Sequence, residues 1–555
     1  MKTRNHIYHF VKVNSFWFLL LSGIASCGEQ LETSPLTGLE QSNVWTDEAG
    51  ATTALMGCYR GNIVYNTTGF ETDWNSYGGL LFMEFASDNA LDRRATTTGN
   101  SNYHKLSDGT LNASNNTINA YWKNAYAKIA RCNRFIENID RINASSAVID
   151  RMKAEARFLR AVQYFYLSQY FGAVPLVRQT LTPENANTVK KNAKTEVVDF
   201  VISELTETAG ILPRQKDLSA SETGRATAQA ALAFLGRILL ADRQWAQAAI
   251  ACKKIIDWGD NLIDPDYQSI FLPSNENSAE NIFAVQYLEN LAGNALPQHA
   301  YPAVANGWHI ICPMGSLWEA YEFDSGHPFS FDSARYDPTD LGKNRDPRLR
   351  YTLLYDRSDF KGKKYICHPD ASSSLDQLGA GKQTTYTGFG LRKFFDEGYS
   401  GSLYLYGANV IVVRYAEVLL NYLEARLEGG SVITQELLDS TINKIRGRAS
   451  VQMPPVQEVN PALLRPVMRN ERRVELAMEG HRYWDILRWG IAHEVLNGDC
   501  YGAPFPGAGN MRKKNGQNDP HDRWFVITRN FRNPQDYQWP IPQSQQDINP
   551  NLREN

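Results

Sequence analysis

Two loop-rich stretches of the sequence carry aromatic side chains beside polar ones, a combination suited to binding sugars. A sugar ring presents an apolar face of C–H groups that stacks on an aromatic ring, and its hydroxyl groups need Asn, Asp or Arg at the edge. The sequence therefore predicts a saccharide-binding surface, for which the candidate residues are Trp74, Tyr77, Asn89, Arg93, Tyr301, Trp308 and Trp318. For each ring, the alternative is that it anchors its loop in the hydrophobic core.

Trp308 and Trp74 are the strongest of these candidates. Asn306 and Gly307 precede Trp308 and favour a turn, which would expose its ring. Polar residues flank Trp74 on both sides and could bind sugar hydroxyl groups. We therefore expect substitution of either ring to remove saccharide binding without unfolding the protein.

Motifs for catalysis and for bound cofactors are missing from the sequence. The histidines never form an HExxH metal site, and no GxSxG nucleophile turn occurs. The segment Gly379-Ala380-Gly381-Lys382 lacks the upstream Gly and the following Ser or Thr of a phosphate-binding loop. The sequence thus indicates a binding protein without metal or cofactor, although a pair of carboxylates acting as a glycosidase stays open.

The first 26 residues have the pattern of a lipoprotein signal peptide. Basic residues precede the apolar run Phe16 to Leu21, and small residues lead to Cys27. A signal of this type is cleaved before the cysteine, which then carries acyl chains that hold the protein at a membrane. We predict a lipid anchor on Cys27; an ordinary secretory signal with a coincidental cysteine is the alternative.

Charge and cysteine content limit the partners and the covalent structure. The formal net charge is −3, which makes the chain a poor candidate for binding nucleic acid. The six other cysteines show no metal-ligand spacing, and we interpret most of them as small buried side chains. They are Cys58, Cys132, Cys252, Cys312, Cys367 and Cys500. A disulfide among them is possible in an exported protein, but the sequence does not choose a pair.

Helical periodicity dominates the chain on both sides of a large irregular insert. Apolar residues recur every three or four positions in segments that we predict as helices. These are Trp45 to Arg60, Tyr121 to Asp140, Arg151 to Phe171, Thr195 to Leu205, Arg225 to Ala241, Gln244 to Asp257, Val413 to Glu428 and Gln435 to Arg448. Small residues such as Ala230, Ala233 and Gly236 would let helices approach closely. The pattern predicts four helix pairs of the tetratricopeptide type, with a plain helical bundle as the alternative.

We predict a mainly α fold in which residues 27–555 form a single body. The helical scaffold covers approximately 45–60, 118–258 and 411–490, while the irregular, loop-rich regions 61–117 and 260–410 carry the ligand surface. Within the insert, a strand is expected from Asn281 to Tyr287 and a helical turn near Leu317 to Tyr321.

The stretch Arg469 to Gly490 predicts one amphipathic helix with an apolar side and a charged side. Charged side chains stand at helical spacing, so we expect pairs within the helix. Three positions separate Arg472 from Glu475, Glu479 from Arg482 and Asp485 from Arg488, and four positions separate His481 from Asp485. We interpret this charged side as structural, because each of these three arginines has an acid at helical spacing.

The same stretch resembles a family signature. ERRVELAMEGHRYWDILRWG is similar to the signature of the SusD/RagB family of outer-membrane nutrient-binding lipoproteins, with Ile486 in place of a leucine. Further blocks resemble that family in the same order along the chain. They are Ala154 to Val177, Gly224 to Leu240, Val413 to Gly430, Ile442 to Ala449 and Pro540 to Asn555.

The resemblance implies a right-handed scaffold of four helix pairs and a function without catalysis. A protein of this family would capture oligosaccharide at the outer surface of the outer membrane and pass it to a SusC-like TonB-dependent transporter, which it caps as a hinged lid. The alternative within the family is a RagB-like cargo of peptide, glycoprotein or another nutrient. Ligand residues of the family lie in variable loops, so the resemblance assigns none of the candidates.

Overall fold

The computed structural model describes residues 44–61, 73–74, 76–97, 103–381 and 383–553. The predicted signal peptide and Cys27 lie outside the described residues. Within these ranges, no helix combines the length and the apolar composition needed to cross a bilayer. The described cysteines are free thiols, and Cys500 alone among them is only half-buried.

Seven helices form the scaffold that the periodicity predicts. They are α1 (Glu48–Tyr59), α2 (Asn116–Asn138), α3 (Ser146–Tyr170), α4 (Lys194–Ile211), α5 (Ala228–Ala241), α6 (Trp245–Trp258) and α7 (Tyr415–Glu428). From α2 to α7 each helix packs against the next one, and α1 packs on α2 and α3. The mainly α fold with tetratricopeptide-like helix pairs is therefore confirmed.

Local sequence explains where these helices begin and how closely they pack. Ser145 caps α3 and Thr227 caps α5, each by accepting a hydrogen bond from a backbone N–H of the first turn. A Cβ at Gly236 in α5 would lie 2.9 Å from Sγ of Cys252 in α6. Small side chains thus bring α5 and α6 together, as the sequence indicates.

The irregular regions before and within the insert, and the segment after residue 490, are held by short strand pairs and short helices. The strands are β1 (Ala90–Asp92), β2 (Asn281–Val285), β3 (Ile311–Pro313), β4 (Leu353–Leu354), β5 (Asp359–Phe360), β6 (Lys363–Lys364), β7 (Gly390–Leu391), β8 (Val410–Arg414), β9 (Gly498–Pro504) and β10 (Arg523–Arg529). The antiparallel pairs are β1–β3, β2–β8, β4–β7, β5–β6 and β9–β10. The predicted strand at Asn281 and the predicted helical turn, observed as Gly315–Ala320, are both present.

The prediction of one helix from Arg469 to Gly490 is wrong. Helix α8 (Pro461–Glu475) ends before a sharp turn, and α9 (Arg482–Arg488) follows it. Met478 and Gly480 have φ angles of 66° and 85° in this turn. Because the helix is interrupted here, backbone carbonyl oxygens of the turn can accept hydrogen bonds from buried cations. Nζ of Lys393 donates to the Ala477 oxygen at 3.0 Å. Likewise, the predicted helix Gln435 to Arg448 is divided into Gln435–Ser440 and Ile442–Arg446.

Most of the ion pairs predicted along this stretch are replaced by pairs with residues of other elements. Arg472 binds Asp485 at 2.7 Å, and Arg482 binds Asp88 at 2.8 Å. Of the predicted pairs, the one between Asp485 and Arg488 is formed, at 2.8 Å. The charged side faces the protein interior, so its groups take partners from other elements.

Candidate saccharide-binding surface

A tight turn positions Trp308 at the protein surface. Asn306 has a φ of 65°, and a Cβ at Gly307 would lie 2.2 Å from the Tyr301 backbone oxygen, so glycine is required there. The backbone N–H of Trp308 then donates to the Gln298 oxygen at 2.7 Å. The ring of Trp308 is half-exposed, and Asn306 beside it is exposed.

A neutral histidine supports the inner side of the Trp308 ring. The ring centroids of His299 and Trp308 are 5.3 Å apart, and Nδ1 of His299 lies 3.2 Å from the hydroxyl of Tyr77. Burial, together with the charge of Arg94, lowers the pKa of His299 to about 3. The histidine therefore stays uncharged at physiological pH and packs as an apolar ring.

Two neighbouring loops supply further half-exposed rings. The backbone N–H of Asn294 donates to the Tyr406 oxygen at 2.9 Å, which joins the segment 287–294 to the segment 399–406. A Cβ at Gly293 would lie 2.3 Å from the Leu405 carbonyl carbon, so these backbones can meet only at glycine. Tyr404 packs edge-on to Trp308 with centroids 6.0 Å apart. We call the half-exposed side chains of Tyr287, Trp308, Tyr399 and Tyr404, with exposed Asn306, the Trp308 surface.

Charged groups lie next to this surface at the end of β1. Arg94 binds the buried carboxylate of Asp92 at 2.6 Å and remains partly exposed. The backbone N–H of Arg93 donates to the Ile310 oxygen at 2.9 Å, and its side chain is half-exposed. The arrangement can stack a sugar ring on an aromatic face and offer polar donors at the edge.

Trp74 is buried in the scaffold and presents no ring face to solvent. Its side chain is 2% exposed and stacks on Tyr121 and Tyr166 with centroids 4.6 and 4.8 Å apart. The flanking Asp73 is also buried and lies 3.9 Å from Nζ of Lys128. The expected exposure of Trp74 is wrong because rings from α2 and α3 occupy both sides of it.

Four other candidates are buried as well. Tyr77 supports His299, and Asn89 accepts a hydrogen bond from Arg473 at 2.8 Å. Tyr301 packs edge-on against Phe360 and Phe395, and Trp318 lies under the guanidinium of Arg345. Burial corrects the expectation that these loop residues are exposed, whereas ligand contact by any of the candidates stays a prediction. Among the candidates, the half-exposed side chains are Trp308 and Arg93.

The sequence-based reasoning missed Tyr287, Tyr399 and Tyr404. The signal was present in the segment Tyr399 to Gly407, where tyrosines alternate with Ser, Gly and Leu. Tandem aromatic residues in a segment too short and too rich in glycine for a helix indicate a surface loop. No cluster of His, Cys, Asp or Glu suited to holding a metal ion occurs among the residues that the structure describes.

Comparisons with known proteins agree over nearly the whole chain. Residues 269–555 match the profile of the SusD family, and residues 62–240 match one described as "Starch-binding associating with outer membrane". A SusD-like carbohydrate-binding protein from Bacteroides fragilis is 48% identical, with a TM-score of 0.88, and the match covers 92% of this chain and 100% of that one. SusD-like protein P2 of Formosa agariphila is 24% identical over 86% of this chain and 91% of its own length.

A more distant solved structure shares the fold. It is a surface glycan-binding protein A from Bacteroides thetaiotaomicron in complex with laminarihexaose, with a TM-score of 0.67 and 21% identity over 92% of this chain and 99% of that one. The helix pairs, the ordered sequence blocks and the match of residues 269–555 together lead to one assignment. This chain belongs to the SusD family.

Proposed function

We propose that this protein binds oligosaccharide without catalysis and passes it to a SusC-like TonB-dependent transporter in the outer membrane. The observation that carries the proposal is the Trp308 surface, where half-exposed rings lie beside polar side chains. The relative from Bacteroides fragilis, 48% identical, is described as a carbohydrate-binding protein, which supports the same ligand class.

The Trp308 surface suits weak and reversible binding. An aromatic contact contributes about 0.5 to 1.5 kcal/mol beyond the area that it buries. A few rings with several hydrogen bonds therefore give a Kd between roughly 1 µM and 1 mM, which corresponds to about −8 to −4 kcal/mol. Weak binding of this kind lets the protein release its cargo to a transporter.

Titration calorimetry of Trp308→Ala and Tyr404→Ala against neutral oligosaccharides, laminarihexaose among them, tests the ligand surface. We expect both variants to lose detectable binding while circular dichroism and Tm stay near those of the parent. Trp258→Ala is the matched control, since Trp258 is also half-exposed but lies on scaffold helix α6. Normal binding by both Trp308→Ala and Tyr404→Ala would show that the Trp308 surface does not bind the saccharide. A peptide mixture, titrated in parallel, distinguishes saccharide from peptide cargo.

The transfer step and the anchor need separate experiments. Purification in mild detergent through a tag on this chain should recover a large β-barrel protein from cells grown on the inducing nutrient.

Cys27→Ala should leave a precursor that no longer partitions with membranes. If that variant stays membrane-bound after a high-salt wash, the prediction of a lipid anchor on Cys27 is wrong. Release of reducing sugar by the pure protein would contradict the absence of catalysis.

A further inference from the structure

A second group of half-exposed aromatic rings lies on the β9–β10 hairpin, with arginines stacked between them. The rings of Tyr501 and Phe525 pack edge-on with centroids 5.9 Å apart. The guanidinium of Arg512 lies 5.7 Å from the Phe525 centroid and 5.2 Å from that of Tyr386. Arg523 lies over Tyr501 at 4.5 Å. We call Tyr386, Tyr501, Arg512 and Phe525 the Arg512 surface.

Two of these rings are not explained by the hydrophobic core. Tyr501 and Phe525 are half-exposed, and neither belongs to the core or to the half-buried side chains packed against it, among the residues described. They occupy the outer face of β9 and β10, whereas Trp524 and Val526 point inward and are buried. Arg523 covers one face of Tyr501, and the ring surface that stays exposed on the strand pair is the kind of platform on which a pyranose ring stacks.

Two Lys or Arg side chains of this hairpin, Arg512 and the exposed Lys513, form no hydrogen bond or ion pair with a described residue, and of the two Arg512 is the one stacked on aromatic rings. Lys514 pairs with Asp499 at 2.5 Å, and Arg523 pairs with Asp519 and Glu319 at 2.9 and 3.0 Å. Arg512 forms no ion pair with any described residue, although its backbone oxygen is fixed by the N–H of Phe525 at 3.0 Å. Its guanidinium is therefore held over two rings with its N–H groups open to solvent.

We propose that the Arg512 surface is a second saccharide-binding site and that its ligand carries a uronic acid. The carboxylate of a uronate is planar and accepts two parallel hydrogen bonds from a guanidinium edge. Because the carboxylate is attached directly to the pyranose ring, the same sugar reaches the faces of Tyr501 and Phe525. A sulfate ester can also accept two hydrogen bonds from a guanidinium, but it stands off the sugar on an additional oxygen, so a sugar bound to Arg512 through sulfate would lie farther from the rings of Tyr501 and Phe525.

This inference adds to the proposed function but uses different residues. The Trp308 surface and the Arg512 surface share no side chain, and they make different demands on the sugar. A ring beside amide and hydroxyl groups accepts a neutral saccharide, whereas a stacked arginine without a counter-charge selects an anionic one. An experiment can therefore disprove one of the two proposed sites without affecting the other.

The test is titration calorimetry of the mature protein with penta-galacturonate at low and at physiological salt. We expect Arg512→Gln to raise the Kd by roughly ten- to hundredfold, the usual loss for a charge-assisted hydrogen bond. Tyr501→Ala should weaken binding similarly, and Arg512→Lys should recover only part of it, since an ammonium does not form the planar double hydrogen bond. Circular dichroism of each variant shows that the hairpin still folds.

Laminarihexaose, a sulfated galactan hexasaccharide and a single-stranded oligonucleotide provide the comparisons. We expect Arg512→Gln to leave laminarihexaose binding unchanged, and Trp308→Ala to leave penta-galacturonate binding unchanged. Sulfated galactan or oligonucleotide binding as tight as that of penta-galacturonate would overturn the assignment of a uronate. The site itself is wrong if penta-galacturonate fails to bind at millimolar concentration, or if its binding depends on Trp308 and not on Arg512. If laminarihexaose does not bind but penta-galacturonate binds through Arg512, the result counts against the proposed function and supports this second site.

Discussion

Glu475 is the residue whose replacement tests most directly how the buried charges stabilise the fold. Its carboxylate, at the end of α8, accepts hydrogen bonds from Arg414 at 2.7 Å, Arg448 at 2.9 Å and Arg348 at 2.8 Å. Burial favours a raised pKa for Glu475, but the three arginines hold the pKa well below its usual range. The group is therefore a buried anion shared by three buried cations.

The structure sets the size of the effect of Glu475→Ala. Removing one partner of a buried ion pair costs about 3 to 5 kcal/mol, since an uncompensated charge remains in the interior. We expect the lower end, about 3 kcal/mol. The three arginine side chains are no more than 1% exposed, so water cannot replace the carboxylate, but each arginine keeps another carboxylate partner: Asp346 for Arg348, Glu479 for Arg414 and Glu280 for Arg448. Glu475→Gln keeps one acceptor oxygen and should cost roughly half as much.

Urea unfolding followed by tryptophan fluorescence measures the loss of stability. Asp199→Ala is the control, as Asp199 is an exposed acid on α4, and we expect it to change the free energy of unfolding by less than about 0.5 kcal/mol. Oligosaccharide affinity should stay unchanged in the folded fraction of every variant. A loss below about 1 kcal/mol for Glu475→Ala would show that the network does not depend on this carboxylate, and the reasoning would fail.

Three further predictions concern the same region. Burial raises the pKa of Glu84 to about 7 from 4.5, so its contribution to stability is complete below pH 4.5 and is lost as the pH rises through 7. The loss is about 3 kcal/mol, and Glu84→Gln should remove this slope between pH 5 and 8.5 in urea titrations. Gly480→Ala should lower Tm sharply, because its Cβ would lie 2.3 Å from the Leu80 oxygen at a φ of +85°; an unchanged Tm would contradict the turn geometry. Asp485→Ala should cost about 0.5 to 3 kcal/mol without changing ligand preference, and lost binding at unchanged stability would place α9 in the site.

Local patterns were sufficient to predict the scaffold. The helices α1 to α7 and the strand at Asn281 follow from apolar periodicity and from capping residues such as Ser145 and Thr227. These signals act over a few residues, so the sequence contains them completely. The turn before Trp308 was predictable for the same reason, because Asn306 and Gly307 specify it locally.

The exposure of individual rings was not predictable. Trp74 and Trp308 both follow polar or turn-forming residues, yet Trp74 is 2% exposed and Trp308 is half-exposed. The difference arises from α2 and α3, whose Tyr121 and Tyr166 cover Trp74. Burial of a loop residue depends on elements distant in sequence, and no local pattern records them.

The sequence by itself determined the helical scaffold and the family, since periodicity, caps and ordered motifs are properties of local sequence. Tertiary structure alone decided the partners of the charged side chains. Glu475 lies three positions from Arg472, but it binds Arg348, Arg414 and Arg448 instead, while Arg472 binds Asp485. In a buried cluster the low dielectric makes every unpaired charge costly, so the pairing is selected by the whole set of groups that folding brings together and not by spacing along one helix.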